Sequence, residues 1–395
     1  MSRLSPAYRK LWWATGINNV GDGAFTAAVP LLAAARTDDP RLVSAVAAAS
    51  YLPWLLLTLP AGAWADRHDR VGLMWRAQVV QAVVAAAVAL ATGSAGVAIL
   101  ALTAFALGAG DVVFGTAAQS FLPEIVPKPL LHRANGALQT ATVIGVQFAG
   151  PPLGSALFAV ATPLPFGVDA VSFAVSAALL ISLPRQRKPS SPPRAPIAEG
   201  LRWLARHRLL RTLAMVLGVN TFCGQLATAT LVLLATRTLR VSPAGYGLLL
   251  TAAAIGSLLG GLVNARMVVL LGERRALVTA LAANALVFTA LGFSPNAIVL
   301  GVLLAANGFV TTLWNVVTVS LRQELVPAPL LGRVTSVYRL LGWGLIPLGT
   351  LAGGFVADSF GLRAPYPVAG VLRGLALLAA LPVLRQSARP RPPRC

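Results

Sequence analysis

The sequence predicts an all-α membrane protein, with twelve transmembrane helices in two pseudo-symmetric six-helix bundles. Three observations predict it. Of 395 residues, 56% are hydrophobic and only 11% charged, at a mean hydropathy of +0.74, whereas soluble domains carry about one quarter charged residues. Apolar runs of about 20 residues recur along the whole chain, and as helices they would cross a hydrocarbon core roughly 30 Å thick. PEIVPKPLLHR (123–133) returns as QELVPAPLLGR (323–333), with seven of the ten positions from Glu124 to Arg133 identical after a displacement of 200 residues.

In chain order, the first six spans are expected at 11–35, 42–63, 73–92, 97–122, 134–158 and 163–184. MSRLSPAYRK precedes the first; no small-residue cleavage site follows and the segment carries an Asp, so it reads as a retained helix and not a signal peptide. The charged stretch LPAGAWADRHDRVGLM (59–74) separates spans 2 and 3. Spans 7 to 12 are expected at 209–235, 243–265, 275–293, 296–321, 333–357 and 364–384. Between the halves, RQRKPSSPPRAPIAEGLRWLARHRLLR is Pro-rich and basic, with an amphipathic piece over 196–207 suited to lying on a membrane surface. The expected domains are therefore a bundle over 1–184, a cytoplasmic linker over 185–208, and a second bundle with a basic tail over 209–395.

Further echoes pair GIN (16–18) with GVN (218–220), Arg36-Thr37 with Arg237-Thr238, and Gly72 with Gly272. A period of half the chain in a twelve-span protein indicates two parallel repeats about an axis along the membrane normal. A net charge of +20 would suggest nucleic acid for a soluble chain, but its distribution argues otherwise. On the twelve-span map Arg36, Arg41, Arg237, Arg240 and Arg363 fall on one side, Arg373 falls mid-span, and the other 26 of 32 basic residues lie at the opposite side. Basic residues mark the cytoplasmic face, so both termini are expected there, in a plasma or inner membrane. Cys223 and Cys395 fall on different levels, against a disulfide. Three histidines in loops and no GxxxxGK[ST] loop give no metal or nucleotide chemistry, so neither an enzyme nor a cofactor is expected.

GAWADRHDR (62–70) resembles the loop-2/3 signature of the major facilitator superfamily, and GPPLGS (150–155) resembles the Gly-Pro motif of its exporters. LVPAPLLGRVTSVYRLLGWGLIPLG and EGLRWLARHRLLRTLA are similar to the enterobactin-exporter and macrolide-efflux branch. The chain departs from the pattern at Asp69, where Gly is usual, at Ser155, and at Ala104, where an Arg often stands. The resemblance implies a fold whose two bundles rock to open each side in turn, with spans 1, 4, 7 and 10 lining a central cavity. It implies a gate at Gly62, Asp66, Arg67 and Arg70; within it Asp66 is expected to face the start of span 11 near Leu331 to Arg333 and Arg70 to pair with Glu124, while Arg67, Arg70 and Arg76 serve equally as positive-inside anchors. It also links Gly145, Gly150, Pro151 and Gly154 to a bent, leak-sealing span 5, although ordinary close packing accounts for the glycines too.

Ionisable groups deep in a span are costly and are functional candidates by default. Asp22 and Asp111 each lie eleven residues from the inner end of their span, roughly 17 Å deep at about 1.5 Å per residue. Burial with a second carboxyl nearby suits proton exchange near neutral pH, which makes them the candidate proton carriers; the structural alternatives are hydrogen bonding to helix neighbours at Asp22 and close packing around GAGD at Asp111. Asp169, about six residues into span 6, is expected near the outer surface, solvated and structural. Arg373 has no evident partner. Asn220, Gln225, Asn307 and Asn315 in the second half, with Asn18 and Gln147 in the first, offer uncharged hydrogen-bonding groups to a substrate. The expected function is proton-coupled export of a small amphipathic molecule by a monomer in the lipid bilayer. Uptake, lipid flipping and a non-transporting scaffold are the alternatives.

Overall fold

The structure is a computed structural model that describes residues 5–94, 96–183 and 197–386. Among them are α1 (Pro6–Arg36), α2 (Pro40–Arg67), α3 (Arg70–Ala91) and α4 (Val97–Ile125). Then α5 covers 131–160 as Leu131–Thr142, a wider-wound stretch Val143–Ala149 and Gly150–Val160, and α6 is Leu164–Ile181. A linker helix, Ile197–Arg206, precedes α7, which covers 208–238 with an irregular turn after Thr228. The rest are α8 (Pro243–Leu271), α9 (Glu273–Gly292), α10 (Ala297–Leu325), α11 over 328–360 with a break at Leu345, and α12 (Pro365–Gln386). Residues 185–196 of the expected linker and the basic tail from 387 lie outside the described residues.

Eleven of these twelve helices are long and apolar enough to span a membrane by length and composition. The exception is α1, whose Asn18, Asn19 and Asp22 and three glycines (Gly16, Gly21, Gly23) thin its apolar content. Helix starts follow local chemistry. Ser5 accepts from the Tyr8 amide at 3.1 Å, Asp39 from that of Arg41 at 2.8 Å ahead of Pro40, and Asn296 from that of Val299 at 3.0 Å. The winding of α5 loosens immediately before Pro151, which has no amide to give the preceding turn, and the Gly150 N–H reaches back to the Gly145 carbonyl.

The chain forms two compact units, Met1–Pro193 with Ala235–Thr251, and Arg194–Leu234 with Ala252–Cys395. In the first, α6 packs on α1 and α3, α4 on α2 and α3, and α5 on α1. The second repeats the scheme: α12 on α7 and α9, α10 on α9, and α11 on α7. The repeat extends to single residues. Gly108 presses on the Ser50 carbonyl of α2, and Gly308, 200 residues on, presses on the Ala253 carbonyl of α8. Gly150 and Gly154 of α5 meet Gly23 and Ala24 of α1, as Gly349 and Gly353 of α11 meet Phe222 and Leu226 of α7. A tyrosine hydroxyl locks each corresponding pair of helices: Tyr8 of α1 donates to Ala134 O of α5 at 2.9 Å, and Tyr338 of α11 to Leu210 O of α7 at 2.6 Å.

The first unit differs from the sequence repeat by taking in 235–251. Arg237 donates to Ala34 O at 2.9 Å and pairs with Asp38 at 2.7 Å, while Gly247 lies against Ser155 and the Pro151 carbonyl. In the second unit the linker helix packs on the start of α11, where Glu199 pairs with Arg333 and Gly200 abuts the Arg333–Val334 backbone. There Gly200 presents no side chain to hold the two helix backbones apart.

Candidate functional site: carboxyls and amides within the first unit

Asp22 stands on α1 one turn after Asn18, and the Asn18 amide donates to Asp22 Oδ2 at 2.7 Å. Asn18 is 2% exposed and its Oδ1 has no hydrogen-bond partner among the described residues. Asp111 stands on α4 facing α3, where the Gln81 amide donates to Asp111 Oδ1 at 2.7 Å and to Leu107 O at 3.0 Å. Gln78 in turn donates to Gln81 Oε1 at 3.2 Å, and both glutamines are wholly buried. Gly110 makes room for this chain, since a Cβ there would strike the Gln81 side chain. Both carboxyls keep partial exposure and neither takes part in an ion pair among the described residues.

Asp169 corrects the sequence expectation. It is fully buried, and its Oδ2 has no hydrogen-bond partner among the described residues. Depth along α6 suggested a wetted position, but α6 packs on both α1 and α3, and Gly21 opens a notch in α1 that admits the carboxyl. Arg373 is corrected as well. Its guanidinium donates to Asn220 O at 2.7 Å, lies 3.6 Å from the Phe288 ring centroid and sits beside Cys223.

The remaining candidates are dispersed. In the α2–α3 turn Gly62 is buried, Asp66 half-buried and Arg67 exposed. Asp69 is the N-cap of α3, accepting from the amides of Val71 at 3.2 Å and Gly72 at 3.1 Å. Arg70 is 8% exposed, pairs with Glu124, and donates to Ala65 O at 3.2 Å and Ser120 O at 3.1 Å. Gly145, Gly150 and Gly154 form the α1–α5 seam, with Pro151 buried beside it.

Gln147 and Asn315 are exposed, while Asn220, Gln225 and Asn307 are half-buried. Gln225 Oε1 accepts from Thr228, and Asn307 Oδ1 accepts from Asn284 at 3.4 Å. Sequence reasoning missed Gln78, Gln81 and Asn284. Asn284 bonds Thr311 at 3.2 Å, and Thr311 lies 200 residues after Asp111. Each half thus sets a buried amide behind the same place in its fourth helix, and polar residues inside spans 3 and 9 were the available signal. No group of His, Cys, Asp or Glu among the described residues could hold a metal.

Two repeats of six helices with polar groups set inside apolar spans fit a multi-pass membrane transporter. The chain belongs to the major facilitator superfamily, and residues 3–390 match its family described as transmembrane secretion effector. It is 30% identical to the multidrug efflux pump Tap of Mycobacterium tuberculosis over 98% of this chain and 95% of that one. It is 24% identical to the enterobactin exporter EntS of Citrobacter koseri over 99% and 95%. Among solved structures, a bacterial homologue of the iron transporter ferroportin in an inward-facing state matches with a TM-score of 0.76 at 18% identity, covering 98% of this chain and all of that one. A bacterial homologue of the lysosomal transporter Spinster, inward-facing and unoccupied, matches at 0.75 and 16%, covering 98% of each chain.

Proposed function

We propose that this protein exports a small amphipathic molecule, such as a drug, macrolide or siderophore, in exchange for protons, with Asp22 and Asp111 as the carriers. The observation that supports this most is the pair itself: two half-buried carboxyls in one unit, each holding one amide donor at 2.7 Å and neither ion-paired among the described residues. One bond steadies the carboxyl while leaving its other oxygen able to take or release a proton. The relatives named for multidrug efflux and enterobactin export support the direction and the class of cargo.

In this reading the first unit handles protons. Asn220, Gln225, Asn307 and Asn315, with Asn18 and Gln147, contact the substrate. Gly62, Asp66, Arg67, Arg70 and Glu124 form the cytoplasmic gate and Gly145, Gly150, Pro151 and Gly154 hold α5 against α1. The repeats over 1–184 and 209–395 rock about the linker 185–208, both termini are cytoplasmic, and the protein is a monomer in the cell membrane.

Inverted membrane vesicles energised by a pH gradient and offered dyes, macrolides and siderophores test it. Wild-type protein should accumulate at least one compound, and Asp22→Asn and Asp111→Asn should each abolish accumulation while the protein still inserts. Normal pumping by both variants ends the proton assignment, and accumulation only in right-side-out vesicles reverses the direction.

A further inference from the structure

Asp169 and Arg373 make an instructive contrast, because helices in the same place within each repeat bury them. Each reaches a glycine of the first helix of its half: a Cβ at Gly21 would meet Asp169 Oδ1 at 2.5 Å, and one at Gly224 would meet Arg373 Nη2 at 3.1 Å. Arg373 has a carbonyl, an aromatic face and a thiol beside it, and only its Nε is left without a partner among the described residues. Asp169 has less. Ser172 gives its hydroxyl to the Asp169 main-chain carbonyl at 2.8 Å and comes only within 3.5 Å of Oδ1, and Oδ2 has no partner among the described residues.

A fully buried carboxyl with a bare oxygen needs a proton or a cation to neutralise it. The described ion pairs supply no cation, and no metal-binding group is present among the described residues. The titratable groups within electrostatic reach are Asp22, next in sequence to Gly21, and Asp111 on α4. The other helices in contact add none: α3 carries no charged residue after Arg76 and α5 none after Arg133. One turn along α1, beside Asp22, the buried Asn18 Oδ1 is likewise an acceptor without a donor among the described residues.

We propose that Asp169 is a third proton site of the first unit, exchanging its proton with Asp22 across the notch left by Gly21. This rests on the proton-coupled reading above. One proton moves from the Asp169 carboxyl to a carboxylate oxygen of Asp22, which leaves Asp169 charged and Asp22 neutral, and the reverse transfer restores both. Asp22 is the half-exposed member that meets water, and Asp169 is the sealed store behind it. A purely structural carboxyl would hold its proton whatever the state of Asp22.

Infrared difference titration of the full-length protein in liposomes, between about pH 5 and pH 9, separates these cases by the carboxylic C=O stretch. The band lost in Asp169→Asn should titrate in the wild type and stop titrating in Asp22→Asn. A band that never titrates, that titrates identically without Asp22, or that is absent overturns the inference. Because the decisive comparison can be made in Asp22→Asn, it holds even if Asp169→Asn folds poorly and the band must be assigned with Asp169→Glu.

In inverted vesicles, Asp169→Asn should reduce proton-driven accumulation roughly tenfold or more. If the wild type is proton-driven and Asp169→Asn pumps equally well, this inference fails and the proposed function stands. If a sodium gradient and not a proton gradient drives the wild type, both fail.

Discussion

At the residue scale, Arg70 and Arg67 look alike in the sequence and differ completely in place. Arg70 is 8% exposed and ties the ends of α2, α3 and α4 together through two carbonyls and Glu124, while Arg67 is exposed. Removing one partner of a buried, hydrogen-bonded pair strands the other, so Arg70→Gln should lower stability by about 2 to 3 kcal/mol, less than for a fully sealed pair because Glu124 is partly wetted. Arg67→Gln should stay within about 0.5 kcal/mol. Thermal unfolding in detergent compares them, and equal effects would remove the distinction. Asp69 stands where the superfamily usually has glycine, and its carboxylate caps α3. Asp69→Ala should cost about 1 kcal/mol and Asp69→Asn much less, since Asn also caps well; a large loss in Asp69→Asn would mean that charge, not capping, matters there.

At the element scale, the motif glycines of α5 are a packing seam. Gly154 abuts the Ala24 carbonyl so closely that no Cβ fits, and Gly353 stands in the same relation to Leu226 of α7. The seam in α11, which lacks the Gly-Pro pair of α5, indicates that close approach of these helix pairs belongs to the fold of both halves. Gly154→Ala and Gly353→Ala should therefore destabilise by about 1 to 3 kcal/mol each through overpacking. Gly136, also in α5, has open space where a Cβ would stand, and Gly136→Ala should be neutral or gain up to about 1 kcal/mol from helix propensity. Unfolding midpoints of the three variants decide this; a loss at Gly136 equal to that at Gly154 would show that the seam has no special role.

At the scale of the whole molecule, the repeat in sequence and the division in space do not coincide. Residues 235–251 belong to the second half by sequence and pack in the first unit, with Arg237 on Asp38 and Ala34 and Gly247 on Ser155. The Arg237–Asp38 pair is exposed, and such pairs contribute only about 0 to 1 kcal/mol, so the contact is one that a transport cycle can break and remake. In a background with Cys223 and Cys395 replaced by Ser, Arg237→Cys and Asp38→Cys joined by a short bis-methanethiosulfonate linker should arrest transport until reduced. Undiminished transport with the cross-link complete would show that this contact does not open.

Much of the architecture was legible because its causes are local. Apolar length sets a span, Asp39 and Pro40 or Asp69 set a helix start, and the 200-residue echo sets the register that Gly108 and Gly308 obey to the residue. Asp22, Asp111 and the Arg70–Glu124 pair could be picked out because a charge inside or beside an apolar run stands out in one dimension. The glutamines behind Asp111 did not, since an amide in a span carries no formal charge and its purpose lies in a neighbouring helix. The sequence by itself determined the membrane class, the twelve helices and their two-fold repetition, because hydrophobic length and repetition are properties of the chain. Only the tertiary structure decided what Asp169 and Arg373 face and which helices hold 235–251. Burial depends on the partner surface as well as on depth along a helix, and here a single missing Cβ at Gly21 turns a position expected at the water's edge into a sealed one.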